Sequence, residues 1–262
     1  MNHSIVLAKK EFVQMVRDFK VIWLPIVFIF LGITQPVVTY YLPSILQALG
    51  GGQGITIDSG LANQKGGEVL ASTFGSQFDQ MGLMILAISM MGIIQADKTN
   101  GMLPFILTRP VSVLSYLTGK LLSNYLIATI SVALGYLTAY LYVLNLFSNV
   151  PFFLMLIALL FYLVWVLFIV SFTMMVSTIF QNQGIIALIS IVFLIGCRII
   201  VTIHPVIDLF NPASMSGHAM ELLIFGSLKS DVWIHLVTVF LGILLTFYVT
   251  YYWISTKKYH YE

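Results

Sequence analysis

The sequence predicts an all-α integral membrane protein with six transmembrane helices, and two observations carry that prediction. First, 59% of the 262 residues are hydrophobic and only 8% are charged, whereas about 25% are charged in a typical soluble domain. Second, six stretches are apolar over the length that a helix needs to cross about 30 Å of hydrocarbon. These stretches are Val21–Tyr41, Phe78–Gln95, Leu121–Leu146, Phe152–Phe180, Ile185–Ile203 and Trp233–Ile254. Lipid must therefore cover much of the surface, and we expect a single transmembrane domain over residues 1–262.

The positive charges predict how the domain is oriented. If the N-terminus is cytoplasmic, the cytoplasmic segments hold nine of the twelve lysines and arginines: Lys9, Lys10, Arg17, Lys20, Lys98, Arg109, Lys120, Lys257 and Lys258. The outer segments hold only Lys65 and Lys229, and Arg198 lies within a span. Because positive charge is retained on the cytoplasmic side, we expect both termini to be cytoplasmic.

The segment before the first span, residues 1–20, is expected to form an amphipathic elbow helix in the inner headgroup layer. Apolar residues recur there at steps of three or four, the spacing of one helix face. Lysines, a glutamine and an arginine cover the other face, as in helices that lie at a membrane surface. The apolar face consists of Ile5, Ala8, Phe12, Met15 and Phe19.

The two long segments on the outer side are predicted to differ in structure. Residues 42–77 are rich in glycine, which disfavours a long rigid element, so a flexible outer loop is expected. Residues 204–231 are too polar to span the membrane, and Pro205 and Pro212 interrupt them. A broken helical segment in the outer leaflet is expected there.

The third span carries small residues on one stripe, which allow helix backbones to approach closely in lipid. The stripe consists of Ser123, Ser131, Gly135 and Ala139. It fits packing within the subunit as well as packing against a second copy.

Residues 96–120 form a polar cytoplasmic insert between the second and third spans. Pro104 suits the first turn of a short helix that starts near Met102, and Pro110 ends that helix. Ser112 is placed to cap the helix of the third span. The short helix is apolar at Leu103, Phe105, Ile106 and Leu107. An exposed apolar helix of this kind calls for a partner that covers it.

Three sequence motifs of hydrolases and nucleotide-binding proteins do not occur in the sequence. It has no H-E-x-x-H, no G-x-S-x-G and no G-x-x-x-x-G-K-[ST], and no cluster with the spacing of a metal site. Ion-coupled carriers need ionisable groups within the membrane, and the sequence places Asp79 and Asp97 only at the two mouths of the second span. The positions of these acids argue against a proton or sodium relay. An ion-coupled transporter or channel is nevertheless the alternative to the function given below, and a membrane-embedded enzyme is the third possibility.

Three residues are candidates for lining a path through the membrane. Arg198 lies within the fifth span, where a charge in lipid costs at least about 2.5 kcal/mol, so it either pairs or snorkels, or it lines a wet pathway. Tyr162 and Trp165 belong to an aromatic group in the fourth span. That group is compatible with packing and with a substrate wall.

The insert resembles the type-2 permease family of ABC transporters. In that family the corresponding loop carries an acid, polar residues, Gly-Thr, leucine-rich turns, Pro-Val-Ser and then Gly-Lys. These places are occupied here by Asp97, Gly101, Met102, Leu103, Leu107, Pro110, Val111, Ser112, Gly119 and Lys120. Met102 replaces the usual threonine, and Pro104 and Val113 also depart from the pattern. The start of the chain, "AKKEFVQMVRDFKVIWLP", is similar to the family's elbow helix, so the resemblance covers essentially the whole chain.

The resemblance implies a permease subunit of an ATP-driven exporter that has no ATP chemistry and no cofactor of its own. ATP and Mg²⁺ would be bound by a separate cytoplasmic ATPase, and a second copy or a sister permease would complete the path. Membrane lipid would be a further partner and nucleic acid would not, in a cell membrane expected to be bacterial. The apolar, aromatic interior favours an amphipathic or hydrophobic cargo, such as a membrane-active peptide or a drug. The expected ATPase-coupling residues are Asp97, Gly101, Met102, Leu103, Phe105, Ile106, Leu107, Arg109, Pro110 and Glu11.

Overall fold

The computed structural model describes residues 3–49, 64–107, 112–201, 208–228 and 230–256. Helix is the only regular secondary structure in these ranges. Within them, six helices are long and apolar enough to cross a membrane, which confirms the predicted all-α membrane fold. Arg109 and Pro110 lie outside the described residues.

The chain forms eleven described helices and one π-helical segment. Six candidate spans are built from them: α2, the composite from Gly66 to Thr99, α7, α8, α9 and α11. One end of the bundle carries α1, which packs on α7, and the opposite end carries α10; we call them the α1 end and the α10 end. In order, the elements are α1 (His3–Arg17), α2 (Lys20–Leu49), α3 (Gly66–Ser72), the π-helical segment (Thr73–Gly82), α4 (Leu83–Met90), α5 (Gln95–Thr99), α6 (Met102–Leu107), α7 (Val113–Leu146), α8 (Phe152–Ile179), α9 (Gln183–Ile200), α10 (Ser214–Phe225) and α11 (Val232–Thr256).

Local capping explains where several helices begin and end. The Ser112 hydroxyl accepts a hydrogen bond from the Ser115 amide at 3.2 Å, so the predicted cap of the third span is confirmed. The Asn182 side chain caps α9 in the same way, at 2.8 Å from the Gly184 amide. Such caps satisfy amides that have no partner in the first helical turn. Gly226, with φ of 70°, ends α10 in the left-handed conformation that suits glycine.

The second span is longer than the sequence predicted, and the predicted outer loop is shorter. Residues 42–49 continue α2 and residues 66–77 are already helical, so the loop assigned to 42–77 is wrong at both ends. The polar side chains at the end of the predicted loop are paired inside the bundle. Ser76 donates to Gln35 Oε1 at 2.8 Å, and Gln77 donates to the same atom at 3.2 Å. Because these hydrogen bonds satisfy the polar side chains, this polar stretch can be helical inside the membrane.

The small-residue stripe of α7 packs within the subunit. Ser123, Ser131, Gly135 and Ala139 are all buried. A Cβ atom on Gly135 would overlap the Phe28 carbonyl of α2, and one on Gly32 would overlap the Gly135 carbonyl. Two helix backbones are thus in direct contact, which is the reason that glycine is required at both positions. Between the two alternatives for this stripe, the structure selects packing against the same chain.

The described part of the predicted broken segment, residues 204–231, includes the short helix α10. It packs on α8 and on α3, and its backbone reaches Gly67 so closely that a Cβ there would overlap the Leu223 carbonyl. Leu222 and Leu223 are buried, whereas Phe225 is 73% exposed. Residues 202–207 and 229 lie outside the description.

Candidate functional site

At the α1 end, a lysine from α7 joins two carboxylates from other helices. Lys120 Nζ lies 3.0 Å from Glu11 Oε2 of α1 and 2.8 Å from Asp97 Oδ2 of α5. The Tyr116 hydroxyl donates to the same Asp97 oxygen at 2.6 Å. We call Lys120, Glu11, Asp97 and Tyr116 the Lys120 junction. It fastens the elbow helix and the insert to the beginning of the third span.

The Lys120 junction is largely shielded from water, so its charges are screened little. Lys120 and Asp97 are buried, and Lys120 Nζ also donates to the Ile93 carbonyl at 2.7 Å. A buried cation with two carboxylates and a carbonyl has the partners that burial of charge demands. Loss of the cation would leave two carboxylates facing each other, an arrangement that costs several kcal/mol (about 3–5). The junction therefore holds α1, α5 and α7 as one unit.

Two further lysines tie neighbouring helices at the same end. Lys20 donates to the Ser89 carbonyl at 2.8 Å and to Asn124 Oδ1 at 3.0 Å. Lys98 donates to the carbonyls of Thr178, at 2.9 Å, and of Phe180. The last carbonyls of a helix have no partner within it, and Lys98 supplies one at the end of α8. The end of the second span is thus fixed to α8 as well as to α7.

The short helix α6 exists as predicted, but its apolar residues do not all face outward. Gly101, with φ of 64°, turns the chain between α5 and α6, and it is exposed. Leu103 is fully buried, which corrects its assignment to a surface that a partner would touch. Phe105 is 49% exposed and Met102 is partly exposed. The side chains of Ile106 and Leu107 lie outside the described part.

The predicted coupling set therefore divides into two groups. Asp97, Glu11 and Leu103 are used inside the chain, in the Lys120 junction and in the core. Gly101, Met102 and Phe105 stay accessible at the end of the bundle. Sequence reasoning placed Lys120 at headgroup level and gave it no acidic partners.

An ion pair lies within the membrane-spanning region. Arg198 Nε of α9 is 2.6 Å from Asp79 Oδ2, and the Asp79 side chain is completely buried. The Ser216 hydroxyl of α10 donates to the same carboxylate. Asp79 lies in the π-helical segment, well inside the composite span that begins at Gly66. Its placement at the mouth of the second span is wrong, because that span starts twelve residues earlier than Phe78.

The aromatic candidates for a pathway are packed in the core of the subunit. Tyr162 stacks on Phe74 with ring centroids 4.4 Å apart, and Phe74 stacks on Tyr136 at 4.2 Å. Trp165 is fully buried and stacks on Phe168 at 5.7 Å. The structure thus supports the packing role for Tyr162 and Trp165. Arg198, by contrast, is 20% exposed at its side chain and borders a cavity.

The described side chains form no group of three or more histidine, cysteine, aspartate or glutamate residues that could hold a metal ion. His204 lies outside the described residues.

Six candidate spans, an N-terminal helix fixed to the bundle and a short helix between the second and third spans define a multi-pass membrane protein. Residues 5–258 match the family model described as "ABC-2 family transporter protein". The chain therefore belongs to the ABC-2 transporter family, and the resemblance found in the sequence is confirmed. It is also similar to the uncharacterized transmembrane protein YxlG of Bacillus subtilis (strain 168), with 33% identity over 226 residues, or 86% of this chain and 87% of the relative.

Family membership identifies the chain as an ABC-2 type transporter membrane component. Permeases of this family are membrane subunits, generally not catalytic themselves, and they imply an ABC ATPase as a partner. The proposals below rest on two charged groups of residues, the Lys120 junction and the intramembrane Asp79–Arg198 pair.

Proposed function

We propose that this chain is the permease subunit of an ATP-driven exporter, and that it receives the movement of a separate ATPase through α6 and α1. The observation that carries the proposal is the Lys120 junction. It joins the two elements that the resemblance assigns to ATPase contact, and it does so directly on the first turns of a membrane span. A displacement of either element is therefore passed to α7.

Three contacts make this transmission stiff. Leu103 anchors α6 in the core, Asp97 holds the preceding α5, and Glu11 holds α1. Ion pairs that are shielded from solvent are not weakened by salt as exposed pairs are. Close packing of protein interiors transmits strain. Phe105, half exposed beside these anchors, is the side chain we assign to the ATPase surface.

The remaining parts of the proposal follow from the charge distribution and the family. The α1 end and both termini are cytoplasmic, in a cell membrane that we take to be bacterial. Two copies, or this chain and a sister permease, form the path between them. The cargo is amphipathic or hydrophobic, since the described spans offer an apolar and aromatic interior. ATP and Mg²⁺ are bound by the ATPase, not by this chain.

The test is recovery of the ATPase from native membranes with affinity-tagged permease. The wild-type chain should recover a protein with a G-x-x-x-x-G-K-[ST] motif in stoichiometric amount. Phe105→Asp should reduce that recovery about tenfold or more, because truncating a central aromatic contact typically costs 2 kcal/mol or more. Phe225→Asp is the matched control, since Phe225 is exposed at the α10 end. Equal recovery with both variants would show that α6 does not make the contact.

Leu103→Asp is not diagnostic for the ATPase contact. Leu103 is fully buried, so an aspartate there would damage the fold of the insert whether or not an ATPase binds. A lost interaction in that variant would therefore not identify the surface. Phe105 is half exposed, so an aspartate at that position does not place a charge in the core.

The Asp79–Arg198 pair favours a second candidate, an ion-coupled carrier. Such carriers need ionisable groups inside the membrane, and the pair includes a buried carboxylate, Asp79, beside the arginine that the sequence already placed within a span. Proteoliposomes distinguish the two candidates. The proposed exporter moves cargo with ATP and its ATPase in the absence of an ion gradient, whereas a carrier moves cargo under a gradient alone.

A further inference from the structure

A cavity of about 510 Å³ opens at the α10 end between α9, α10 and α11. Its polar lining includes three carboxylates and two histidines from the connecting segment and the adjoining helix ends. They are Asp208, Glu221, Asp231, His218 and His235. Arg198 reaches the cavity from α9. No residue of the Lys120 junction lines it, so this is a separate site.

Among the described residues of this lining, carboxylates outnumber cations, with three carboxylates and one arginine. Arg198 is neutralised by its contact with Asp79 at 2.6 Å, so it does not offset the three carboxylates. Glu221 Oε2 lies 3.6 Å from His218 Nδ1. An acidic concavity with apolar walls focuses its field on a cation.

A buried histidine supplies an independent indication of a ligand. His235 is only 7% exposed and lines the cavity, and its Nδ1 atom has no hydrogen-bond partner in the described part of the chain. Its ring lies against that of His218, with centroids 4.9 Å apart. Buried polar atoms are almost always paired, so one without a partner calls for an explanation. A ligand N–H group directed at Nδ1 provides it.

The rest of the lining is apolar, with Val201, Leu209, Met220 and Ile224 among it. We propose that the cavity binds an organic cation, a primary ammonium or guanidinium group on an apolar body. This inference rests on the proposed function in taking that ligand to be the exporter's cargo. The ammonium meets the carboxylates and donates to His235 Nδ1, while the apolar body lies on the aliphatic side chains. An anion is disfavoured, because the one arginine that could receive it is already paired with Asp79.

The test measures binding of monodansylcadaverine, a primary ammonium on an apolar fluorophore, to the purified chain in neutral detergent. Its N-acetyl derivative has the same body without the charge. Since a charge-assisted hydrogen bond is lost, the acetylated probe should bind at least about tenfold more weakly. Fluorescence anisotropy gives both affinities, each corrected for the partitioning of that probe into protein-free micelles. Equal affinities would overturn the proposal.

Variants locate the site. Asp208→Asn combined with Glu221→Gln should weaken binding of the charged probe about tenfold or more, and His235→Gln should weaken it severalfold. Asp18→Asn is the matched control, because Asp18 is exposed at the α1 end, and it should bind as the wild type does. Thermal unfolding of each variant shows that it is folded, and His235→Gln alone tests the site if the double variant is not. Unchanged affinity in folded variants would overturn the assignment.

The same chemistry occurs in cationic cargo and in an aminophospholipid headgroup. Displacement of the probe by phosphatidylethanolamine but not by phosphatidylglycerol would identify lipid as the source of the ammonium. Displacement by neither lipid, with binding retained, supports soluble cargo. Because the assay uses the chain without an ATPase, its failure leaves the ATPase recovery experiment unaffected, and the two proposals can fail separately.

Discussion

Replacing Arg198 by methionine should destabilise the fold more than replacing its partner Asp79 by asparagine. The two side chains form one ion pair but differ in their surroundings. Asp79 is completely buried, whereas the Arg198 side chain is 20% exposed and borders the cavity at the α10 end. Loss of Arg198 leaves a buried carboxylate without its cation. Loss of the Asp79 charge leaves an arginine that can turn towards water.

The magnitudes follow from that asymmetry. Removing one partner of a buried pair costs 3–5 kcal/mol, so we expect about 4 kcal/mol for Arg198→Met. Asp79→Asn keeps an oxygen that can accept from Ser216 and should cost about 1–2 kcal/mol. The double variant removes both charges and keeps the asparagine oxygen that accepts from Ser216, so it should cost about 1–2 kcal/mol, as Asp79→Asn alone does. The coupling between the two changes is then at least about 2 kcal/mol.

The measurement is unfolding of the purified chain in mixed micelles by a rising fraction of sodium dodecyl sulfate. Trp165 is fully buried and stacked on Phe168, so its fluorescence should report loss of the core. Four proteins complete the cycle: the wild type, each single variant and the double variant. If Asp79→Asn proves the more destabilising change, or if the two costs simply add in the double variant, the argument from burial is refuted.

Two further changes test other contacts. Lys120→Met leaves the carboxylates of the Lys120 junction without their cation, so limited proteolysis between α1 and α2 should be about tenfold faster or more. Lys9→Met, at an exposed site, is the control and should leave the rate of proteolysis unchanged. Equal rates in the two variants would contradict the role of the junction. Gly135→Ala places a methyl group against a backbone carbonyl of α2 and should cost about 1–3 kcal/mol. Gly196→Ala, where a Cβ meets nothing within 4 Å, is its control, and equal stability of the two would show that α2 and α7 can separate.

Hydropathy was sufficient for the architecture of the bundle. The spans α7, α8, α9 and α11 lie where their apolar runs predicted them, because lipid selects length and apolar composition above all else. Local signals were also sufficient at Ser112, whose cap depends on the residues beside it. The glycine of α7 was recognised as a site of close approach from spacing alone.

Pairing between distant residues could not be predicted in this way. Residues 72–77 were assigned to the glycine-rich outer loop, and they are helical with Ser72 and Ser76 paired to Gln35. Asp79, placed at the mouth of the span, is paired inside it with Arg198. The residues near Asp79 in sequence do not indicate that its partner is Arg198, which lies more than a hundred residues further along the chain. The same holds for Leu103, whose burial depends on how α6 rests against the bundle.

The Lys120 junction also has a consequence for the order in which the chain is assembled during synthesis. Glu11 and Lys120 are 109 residues apart in sequence, and translation adds about 5–20 residues per second. The ribosome therefore needs about 5–20 seconds after making α1 before it supplies the lysine that fastens it. Until then two spans are made while the first helix lies at the membrane surface without that ion pair. The beginning of the chain becomes a fixed part of the protein only once the third span has arrived.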